Sequence, residues 1–284
     1  MQEFDFAVIA DVQYADKEAE GSRYYRQSMA KLLQCAEELN KVEPAFVVQV
    51  GDLIDGSDNS LKDLQNVNAV LAQMKAPVYH VTGNHDFEGL SRSEFMAYTG
   101  MQDPYYTFSY AGWRFVFLDT MDLAVQGGWD KSSENYRKGM IMLEETADAG
   151  EEFAREWNGG IGAEQVAWLR EVLGRAKREG EKVVVFGHIP VYPAGDKHNL
   201  WNSRQIVDVL EAPGNVAAYI CGHNHAGSYG ENNGVHYMTM PAMVDGESQN
   251  SYAIVHVSSD KLVITGRGAV PSREIAVDKP YGHL

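Results

Sequence analysis

Residues 46–55 have the sequence FVVQVGDLID, and this stretch decides the fold. Five apolar or amide residues, Phe46–Val50, run directly into Gly51-Asp52. A short run rich in Val and Phe is typical of a strand buried on both faces. The same pattern, an apolar run followed closely by Asp, Asn or His, recurs along the chain. The other runs are Phe6–Ala10 before Asp11, Val78–Val81 before Gly83-Asn84-His85-Asp86, Phe115–Leu118 before Asp119, Val183–Phe186 before Gly187-His188, and Ala217–Cys221 before Gly222-His223-Asn224-His225.

Helical patterns alternate with these strands. Apolar residues recur at helical spacing in Ser22–Lys41, Ser60–Lys75 and Ala163–Glu179. Ser60 and Asp63 have the spacing of a capping box at the start of the second helix. Alternating strands and helices predict an α/β core.

The C-terminal part has a different pattern, with strands that follow one another without helices. These predicted strands are Val235–Met240, Tyr252–Val257 and Leu262–Thr265, and Ser259-Asp260 is predicted as a hairpin turn. They indicate a second, more antiparallel sheet. The predicted fold is therefore an α/β four-layer α-β-β-α sandwich, in which two mixed sheets are flanked by helices.

The segment Met121–Gly162 is long and punctuated by glycine, so we expect a loop-rich insertion with one helical stretch near 135–156. The sequence contains no internal repeat, low-complexity tract or linker. We therefore expect residues 1–284 to form a single domain.

Composition excludes several classes of protein. The chain has 284 residues, 44% of them hydrophobic, which excludes global disorder. Its 24 Lys and Arg against 40 Asp and Glu give a net charge of −16. This charge argues against a protein that binds nucleic acid or an anionic membrane surface through basic residues.

The sequence also bears on location. Two cysteines, Cys35 and Cys221, cannot build a disulfide framework. The N-terminal residues lack the basic and apolar regions of a signal peptide, and no apolar stretch approaches the ~20 residues that span a bilayer. We therefore expect a soluble cytoplasmic protein.

The polar residues at the strand ends indicate a metal site. In an open α/β sheet, ligands bind beyond the carboxyl ends of the strands, and Asp, Asn and His are ligands for divalent cations. Two cations about 3.5–4 Å apart need a bridging carboxylate, and Asp52 is the natural bridge. Asp11 suits one cation, and Asn84, His188 and His223 suit the other. His225 reaches the pair if the loop after the strand is tight.

Together these blocks resemble the calcineurin-like metallophosphoesterase superfamily. Its pattern is D-x-H, GD-x-x-D, GNH-D/E, a lone His and GH-x-H, and the matching blocks cover residues 11–225. The resemblance implies one metal on Asp11, residue 13, Asp52 and His225. It implies a second metal on Asp52, Asn84, His188 and His223.

One position departs from the superfamily pattern, because Gln13 stands where most members have His. D-x-Q is similar to a narrower group, the manganese-dependent ADP-ribose/CDP-alcohol diphosphatases. Other segments resemble that group as well, among them residues 23–28, Gly159-Gly160 and Trp201-Asn202. An amide oxygen favours Mn²⁺ or Mg²⁺ over softer metals, so we expect two divalent ions, with Mn²⁺ first and Mg²⁺, Fe or Zn²⁺ as alternatives. The alternative for Gln13 is a hydrogen bond to water.

The resemblance implies hydrolysis of the diphosphate bond of ADP-ribose or CDP-alcohols by a hydroxide that the metals activate. His85 is not needed as a ligand, so it is free to protonate the leaving oxygen. Asp55 matches the superfamily position that orients this histidine, and the alternative is a solvated carboxylate. The competing functions are a cyclic-nucleotide phosphodiesterase or phosphomonoesterase of the same fold, and a scaffold without activity.

Nucleotide binding is predicted from four residues near the metal ligands in sequence. They are Tyr25, Tyr192, Trp201 and Asn202, and the alternative for the two tyrosines is core packing. Arg23 or Arg26 could reach a terminal phosphate, or could lie on a solvated helix face. The expected partner is a small-molecule nucleotide, without nucleic acid or membrane, and the oligomeric state is left open.

Overall fold

Successive side chains of the first strand enter two different apolar cores. In β1 (Phe4–Ile9), Phe6 and Val8 belong to one apolar core, and Ala7 and Ile9 belong to another. Successive side chains of a strand point to opposite faces, so a strand that is apolar at every position needs a packing partner on both sides.

The structure, a computed structural model, describes residues 2–277.

Twelve strands and six helices are present in the described residues. After β1 the strands are β2 (Phe46–Val50), β3 (Val78–Val81), β4 (Tyr106–Tyr110), β5 (Trp113–Phe117), β6 (Lys182–Phe186), β7 (Val216–Cys221), β8 (Ser228–Asn232), β9 (Val235–Thr239), β10 (Ser251–Val257), β11 (Lys261–Gly268) and β12 (Arg273–Ala276). The helices are α1 (Tyr25–Val42), α2 (Ser60–Leu71), α3 (Arg92–Thr99), α4 (Glu134–Asp148), α5 (Ala163–Glu179) and α6 (Ser203–Glu211).

The strands form two six-stranded mixed sheets. The first has the order β12-β11-β10-β1-β2-β3, with β1, β2 and β3 parallel and β10 to β12 antiparallel. The second has the order β4-β5-β6-β7-β9-β8, in which β5, β6, β7 and β9 are parallel. The predicted sandwich of two mixed sheets flanked by helices is confirmed.

An aromatic core lies between the two sheets. Phe46 stacks on Phe6 with ring centroids 5.3 Å apart, and both rings pack against Phe115 of the other sheet, at 4.8 and 5.7 Å. Phe6 also contacts Phe186 edge to face at 6.0 Å. Large aromatic side chains bury much area and gain from edge-to-face contacts, so this cluster holds the sheets together.

The helices cover the outer faces of the sheets. Leu32 of α1 and Leu64 of α2 belong to the same core as Ala7 and Val47 of the first sheet. Leu169 of α5, with Ile206 of α6, packs in the core that contains Val183 and Val185 of the second sheet. This apolar burial, at roughly 25 cal/mol per Å², is the main favourable term for attaching the helices.

The C-terminal strands correct one expectation. β10, β11 and β12 do not build a separate sheet but extend the first sheet on the free edge of β1, where Phe4 pairs with Val257. β9 extends the second sheet beside β7. An unpaired strand edge leaves backbone groups without partners, and the later strands satisfy both edges. The hairpin at Ser259-Asp260 is confirmed by the antiparallel pairing of β10 with β11.

The capping box predicted at Ser60 is wrong. Asn59 is the N-cap of α2 and makes no side-chain cap hydrogen bond. Ser60 is the first helical residue instead of the cap, and its hydroxyl bonds to the backbone of Ser57 and to the carbonyl of Glu88. A capping box exists at α3, where Ser91 and Glu94 bond to each other's backbone. The helix predicted near 135–156 is α4, which ends earlier, at Asp148. Within residues 2–277, no helix has the length and apolar character needed to cross a bilayer.

We predict that Phe46→Ala lowers the free energy of unfolding by about 3–5 kcal/mol, because it leaves a cavity among four or more aromatic rings between the sheets. Urea unfolding with an unchanged m-value measures the loss. Leu61→Ala on α2, whose side chain is 38% exposed, is the control and should change stability by less than about 1 kcal/mol. Equal losses in the two variants would contradict a core between the sheets.

Candidate metal centre and catalytic cavity

The loops that follow five strands converge at one end of the two sheets. β1 leads to Asp11 and Gln13, and β2 leads to Asp52. The loops after β3, β6 and β7 carry the remaining predicted ligands, which are Asn84, His188, His223 and His225. Parallel strands end at the same edge, so their C-terminal loops meet there. The structure therefore brings together all seven predicted ligands.

The loop backbone turns sharply to aim these side chains inward. Asp11, Gln13, Asp52 and His223 all have positive φ, between 40° and 70°. This conformation costs non-glycine residues of order 1–3 kcal/mol each and persists only where the surroundings enforce it. Here the enforcement includes backbone hydrogen bonds between the loops, such as Gln13 N–H to the Asp52 carbonyl at 2.9 Å.

Two glycines allow the loops to approach closely. A Cβ atom at Gly83 would overlap the carboxylate of Asp52, and one at Gly222 would overlap the carboxylate of Asp11. The glycines of the Gly-Asn-His-Asp and Gly-His-Asn-His blocks are therefore needed for space around the carboxylates rather than for backbone freedom.

One group of acceptor atoms surrounds the Asp52 carboxylate. His188 Nε2 lies 3.3 Å from Asp52 Oδ2, 3.3 Å from Asn84 Oδ1 and 3.2 Å from His223 Nδ1. His188 Nδ1 lies 2.9 Å from the carbonyl oxygen of Val50 and must donate to it, so neutral His188 has its lone pair on Nε2. With His188 neutral, its Nε2 and the side-chain oxygens of Asp52 and Asn84 are three buried acceptors that face one another, an arrangement that fits a divalent cation.

A second group of side chains meets at the same oxygen, Asp52 Oδ2. Gln13 Nε2 is 3.0 Å from Asp52 Oδ2 and 3.2 Å from His225 Nε2, and Asp11 Oδ1 is 3.8 Å from the same His225 atom. Gln13 Oε1 is buried and has no hydrogen-bond partner. Amide oxygen and nitrogen exchange places by rotation, and the rotated amide would turn Oε1 towards Asp52 and His225. In that orientation Gln13 Oε1 would join the oxygens of Asp11 and Asp52 and the lone pair of His225 Nε2, a set of acceptors that also fits a cation.

The titration of these groups follows from burial and from their mutual charges. Burial raises the pKa of Asp11 to about 6. For His188, burial disfavours the charged ring, but the Asp52 carboxylate outweighs it and raises the pKa to about 9. Burial lowers the pKa of His223 well below its usual value. The His188 charge adds to the effect of burial on His223, whereas Asp52 stabilises the charge of His188, so the pKa values of the two histidines move in opposite directions.

His85 lies beside this cluster and is held by Asp55. His85 Nδ1 is 3.2 Å from the Asp55 carbonyl oxygen and 3.5 Å from its Oδ1. Asp55 is buried and forms ion pairs with Lys17 and, at 3.9 Å, with Arg23, so the alternative of a solvated carboxylate does not apply. With Nδ1 donating to Asp55, the other ring nitrogen of His85 is free.

A cavity of about 570 Å³ opens over the acceptor cluster. It is lined by Gln13, Ser22, Arg23, Asp52, Asn84, His85, Glu88, Gln126, Trp157, His198, His223, Asn224, His225, Ala226 and Asp245. Among the described residues of this lining, Arg23 is the only arginine or lysine and Trp157 is the only large aromatic residue, 40% exposed. The cavity thus offers a cation and an indole face beside the acceptors.

The four residues predicted for nucleotide binding are not in this lining. Tyr25 is 2% exposed, with Lys17 Nζ 4.1 Å from its ring centroid. Tyr192 stacks on Tyr237 with centroids 4.9 Å apart. The Trp201 indole donates to the carbonyl of Arg155.

Asn202, the fourth of these residues, bonds to both the N–H and the carbonyl of Ile161. Trp201 and Asn202 thus support a loop beside the cavity, whereas Tyr25 belongs to a buried apolar cluster and Tyr192 packs against the main core. Of the two arginines, Arg23 faces the cavity, and Arg26 forms ion pairs with Asp16 and Glu18 on the surface.

Among the site residues that were not predicted, three bear on the argument below. Trp157 lines the cavity, Asn158 Oδ1 lies 2.8 Å from His223 Nε2, and Asp245 Oδ1 lies 3.2 Å from His225 Nδ1. Trp157-Asn158 directly precede Gly159-Gly160, so their place beside a block already singled out was the one available signal. Asp245 carries no local signal.

Comparison with known proteins agrees with this architecture. The family model of the calcineurin-like phosphoesterases matches residues 4–227. The chain is 35% identical to a manganese-dependent ADP-ribose/CDP-alcohol diphosphatase of Mus musculus over 95% of this chain and 92% of the relative. It is 34% identical to the Homo sapiens protein of the same name, again over 95% and 92%.

A solved structure is also similar. The crystal structure of a dimetal phosphatase from Danio rerio superimposes with a TM-score of 0.89 at 30% identity, and covers 97% of this chain and 99% of its own. The family match, the identities and the shared fold lead to one conclusion: this chain belongs to the calcineurin-like phosphoesterase family.

Proposed function

We propose that this protein is a phosphohydrolase with two divalent metal ions, Mn²⁺ by preference, that cleaves the diphosphate bond of ADP-ribose or CDP-alcohols. The observation that carries the proposal is the pair of buried acceptor groups that share Asp52 Oδ2, beneath a cavity that His85 and Arg23 line. The names of the relatives at 34–35% identity supply the substrate class and the metal.

The ligand sets follow from the two acceptor groups. Asp11, Gln13, Asp52 and His225 would hold one ion. Asp52, Asn84, His188 and His223 would hold the other, so Asp52 would serve both. Two such ions, when bound, lower the pKa of water and stabilise negative charge on phosphoryl oxygens.

His85 acts as the general acid in this proposal. Its Nδ1 is occupied by Asp55, so Nε2 is the atom that can carry a proton to the leaving oxygen. Asp55 is a positioning residue, because it fixes the ring orientation and is itself held by Lys17. The backbone of His85 is held as well, because its main-chain N–H donates to Asp52 Oδ1 at 2.9 Å.

Two cavity residues suit a nucleoside diphosphate. The Arg23 guanidinium can bind the phosphate that is not attacked, because guanidinium groups match phosphate oxygens in geometry and charge. The half-exposed Trp157 indole can stack on a base, an interaction worth about 1–3 kcal/mol. A cyclic-nucleotide phosphodiesterase or phosphomonoesterase remains the competing function, and no cavity residue specifically favours it.

Metal-stripped protein should bind two Mn²⁺ ions per chain by isothermal titration calorimetry. Gln13→His should keep two sites and shift the relative affinity from Mn²⁺ towards Zn²⁺, because imidazole nitrogen is a softer ligand than an amide oxygen. Gln126→His, at another amide in the cavity lining, is the matched control and should leave the ratio unchanged. An unaltered metal preference in the Gln13 variant would show that this residue does not set it.

His85→Asn should keep both metals and lose about 10²–10⁴ in kcat on substrates with poor leaving groups. The loss should shrink on a nitrophenyl diester, whose leaving group needs no proton. The measurement is kcat on the two substrate types, together with metal content by elemental analysis. Loss of metal from the variant would instead identify His85 as a ligand.

The substrate is tested by product analysis with Mn²⁺ and purified protein. We expect AMP and ribose 5-phosphate from ADP-ribose, with turnover much faster than that of cyclic AMP. Trp157→Ala should raise the KM for ADP-ribose by about 5–100-fold and leave that of the nitrophenyl diester almost unchanged, because the diester has no base to stack. Turnover confined to cyclic nucleotides or monoesters would reject the diphosphatase and favour the competing function.

A further inference from the structure

The side chain of Asn158 is fully buried, and both ends of its amide group have hydrogen-bond partners. Its Nδ2 donates to the carbonyl oxygens of Phe153 and Lys197, both at 2.9 Å. Its Oδ1 lies 2.8 Å from Nε2 of His223. Asn158 comes from the segment after α4, 65 positions before His223, and is not part of the strand-end blocks.

These contacts fix the orientation of the amide. A carbonyl oxygen accepts hydrogen bonds and cannot donate, so the two carbonyls require the NH₂ group on their side. The reversed amide would place Oδ1 against two carbonyl oxygens. The amide oxygen therefore faces His223, and the short contact to His223 Nε2 requires a proton on that nitrogen.

The consequence reaches the metal centre. With Nε2 protonated, the lone pair of neutral His223 is on Nδ1, which faces His188 Nε2 at 3.2 Å and belongs to the acceptor group around Asp52. The other two histidines are oriented in the same way by other acceptors, His188 by the Val50 carbonyl and His225 by Asp245. A hydrogen bond to the outer ring nitrogen fixes the tautomer and the ring plane of a metal-binding histidine.

The segment that carries Asn158 is itself anchored. The Trp201 indole donates to the Arg155 carbonyl, and the Trp201 N–H donates to the Gly159 carbonyl at 2.8 Å. Asn158 N–H bonds to the Arg155 carbonyl at 3.1 Å. Trp201 thus holds the loop in place, and the loop presents the amide oxygen to His223.

We propose that Asn158 is a positioning residue of the metal centre, which holds His223 in the Nε2–H tautomer and so directs Nδ1 to the metal. The inference rests on the proposed two-metal function for its consequence, but the tautomer is a property of the chain itself. The segment between α4 and α5 would then have two roles, because Trp157 lines the cavity and Asn158 orients a metal ligand.

The test begins with the tautomer. Long-range ¹H–¹⁵N correlation spectra of the full chain, loaded with Mg²⁺ as a diamagnetic ion and again after chelation, report which ring nitrogen of His223 is protonated, with His223→Gln to assign the signal. We expect protonation at Nε2 in both states. A wild-type His223 protonated at Nδ1 would overturn the proposal without any need for a variant at Asn158.

Variants then separate positioning from loop structure. Asn158→Leu should mix the His223 tautomers and weaken Mn²⁺ binding at one of the two sites by about 10–100-fold. Asn158→Asp keeps an oxygen acceptor towards His223 and should restore most of the affinity, although it loses the donors to Phe153 and Lys197. Asn199→Leu is the control, since this buried amide bonds to the Pro193 carbonyl in the neighbouring loop between β6 and α6, whose Lys197 carbonyl accepts from Asn158, and its side-chain hydrogen bond involves no histidine.

A folded Asn158→Leu protein with wild-type tautomer and Mn²⁺ affinity would overturn the proposal. Equal weakening in the Asn199 and Asn158 variants would also overturn it, because the effect would then belong to the loop. Failure of the proposed function has a different signature, in which the wild-type chain binds no Mn²⁺ or leaves ADP-ribose intact while His223 still has the Nε2–H tautomer.

Discussion

The site depends on the hydrogen bonds between the Asp86 side chain and the backbone of two neighbouring loops. Asp86 is fully buried and accepts the backbone N–H groups of Asp52 at 3.0 Å, Leu53 at 2.7 Å and Gly83 at 2.8 Å. Burial raises the pKa of Asp86 to about 7, and each backbone hydrogen bond that it accepts contributes about 0.5–1.5 kcal/mol net. This one side chain ties the loop after β2 to the loop after β3. It therefore helps to hold Asp52 in its left-handed conformation, with Oδ2 shared by the two acceptor groups.

Hydrogen-bond acceptors outnumber donors among the side chains of the candidate metal centre. Three histidines are each held by an acceptor on their outer nitrogen, which leaves their inner nitrogens as lone pairs. Folding alone would leave this arrangement costly, because buried carboxylates and lone pairs repel one another. Bound cations would remove that cost, so metal binding should raise the stability of the whole chain through linkage. The net charge of −16 adds to the attraction for cations.

The surroundings of the centre divide into two kinds of residue. Arg23, His85 and Trp157 face the cavity and are available to a substrate. Asp55, Asn158 and Trp201 are not among the lining residues and instead bond to His85, to His223 and to the backbone of the segment that carries Trp157. Loops that carry function are commonly positioned by a rigid scaffold in this way. A nucleotide would thus meet a preformed surface, which limits the ordering cost of binding.

The sequence by itself determined the two-sheet α/β architecture and all seven residues that meet at the strand ends. Short apolar runs identify buried strands, and parallel strands must end at a common edge, so Asp11, Asp52 and His188 could be brought together without coordinates. Only the tertiary structure decided which sheet the C-terminal strands join, that Trp201 and Asn202 support a loop, and that Asn158 contacts His223. The reason is physical: strand burial leaves a local periodic pattern in the chain, whereas a hydrogen bond between residues 65 positions apart depends on how whole loops pack and leaves none.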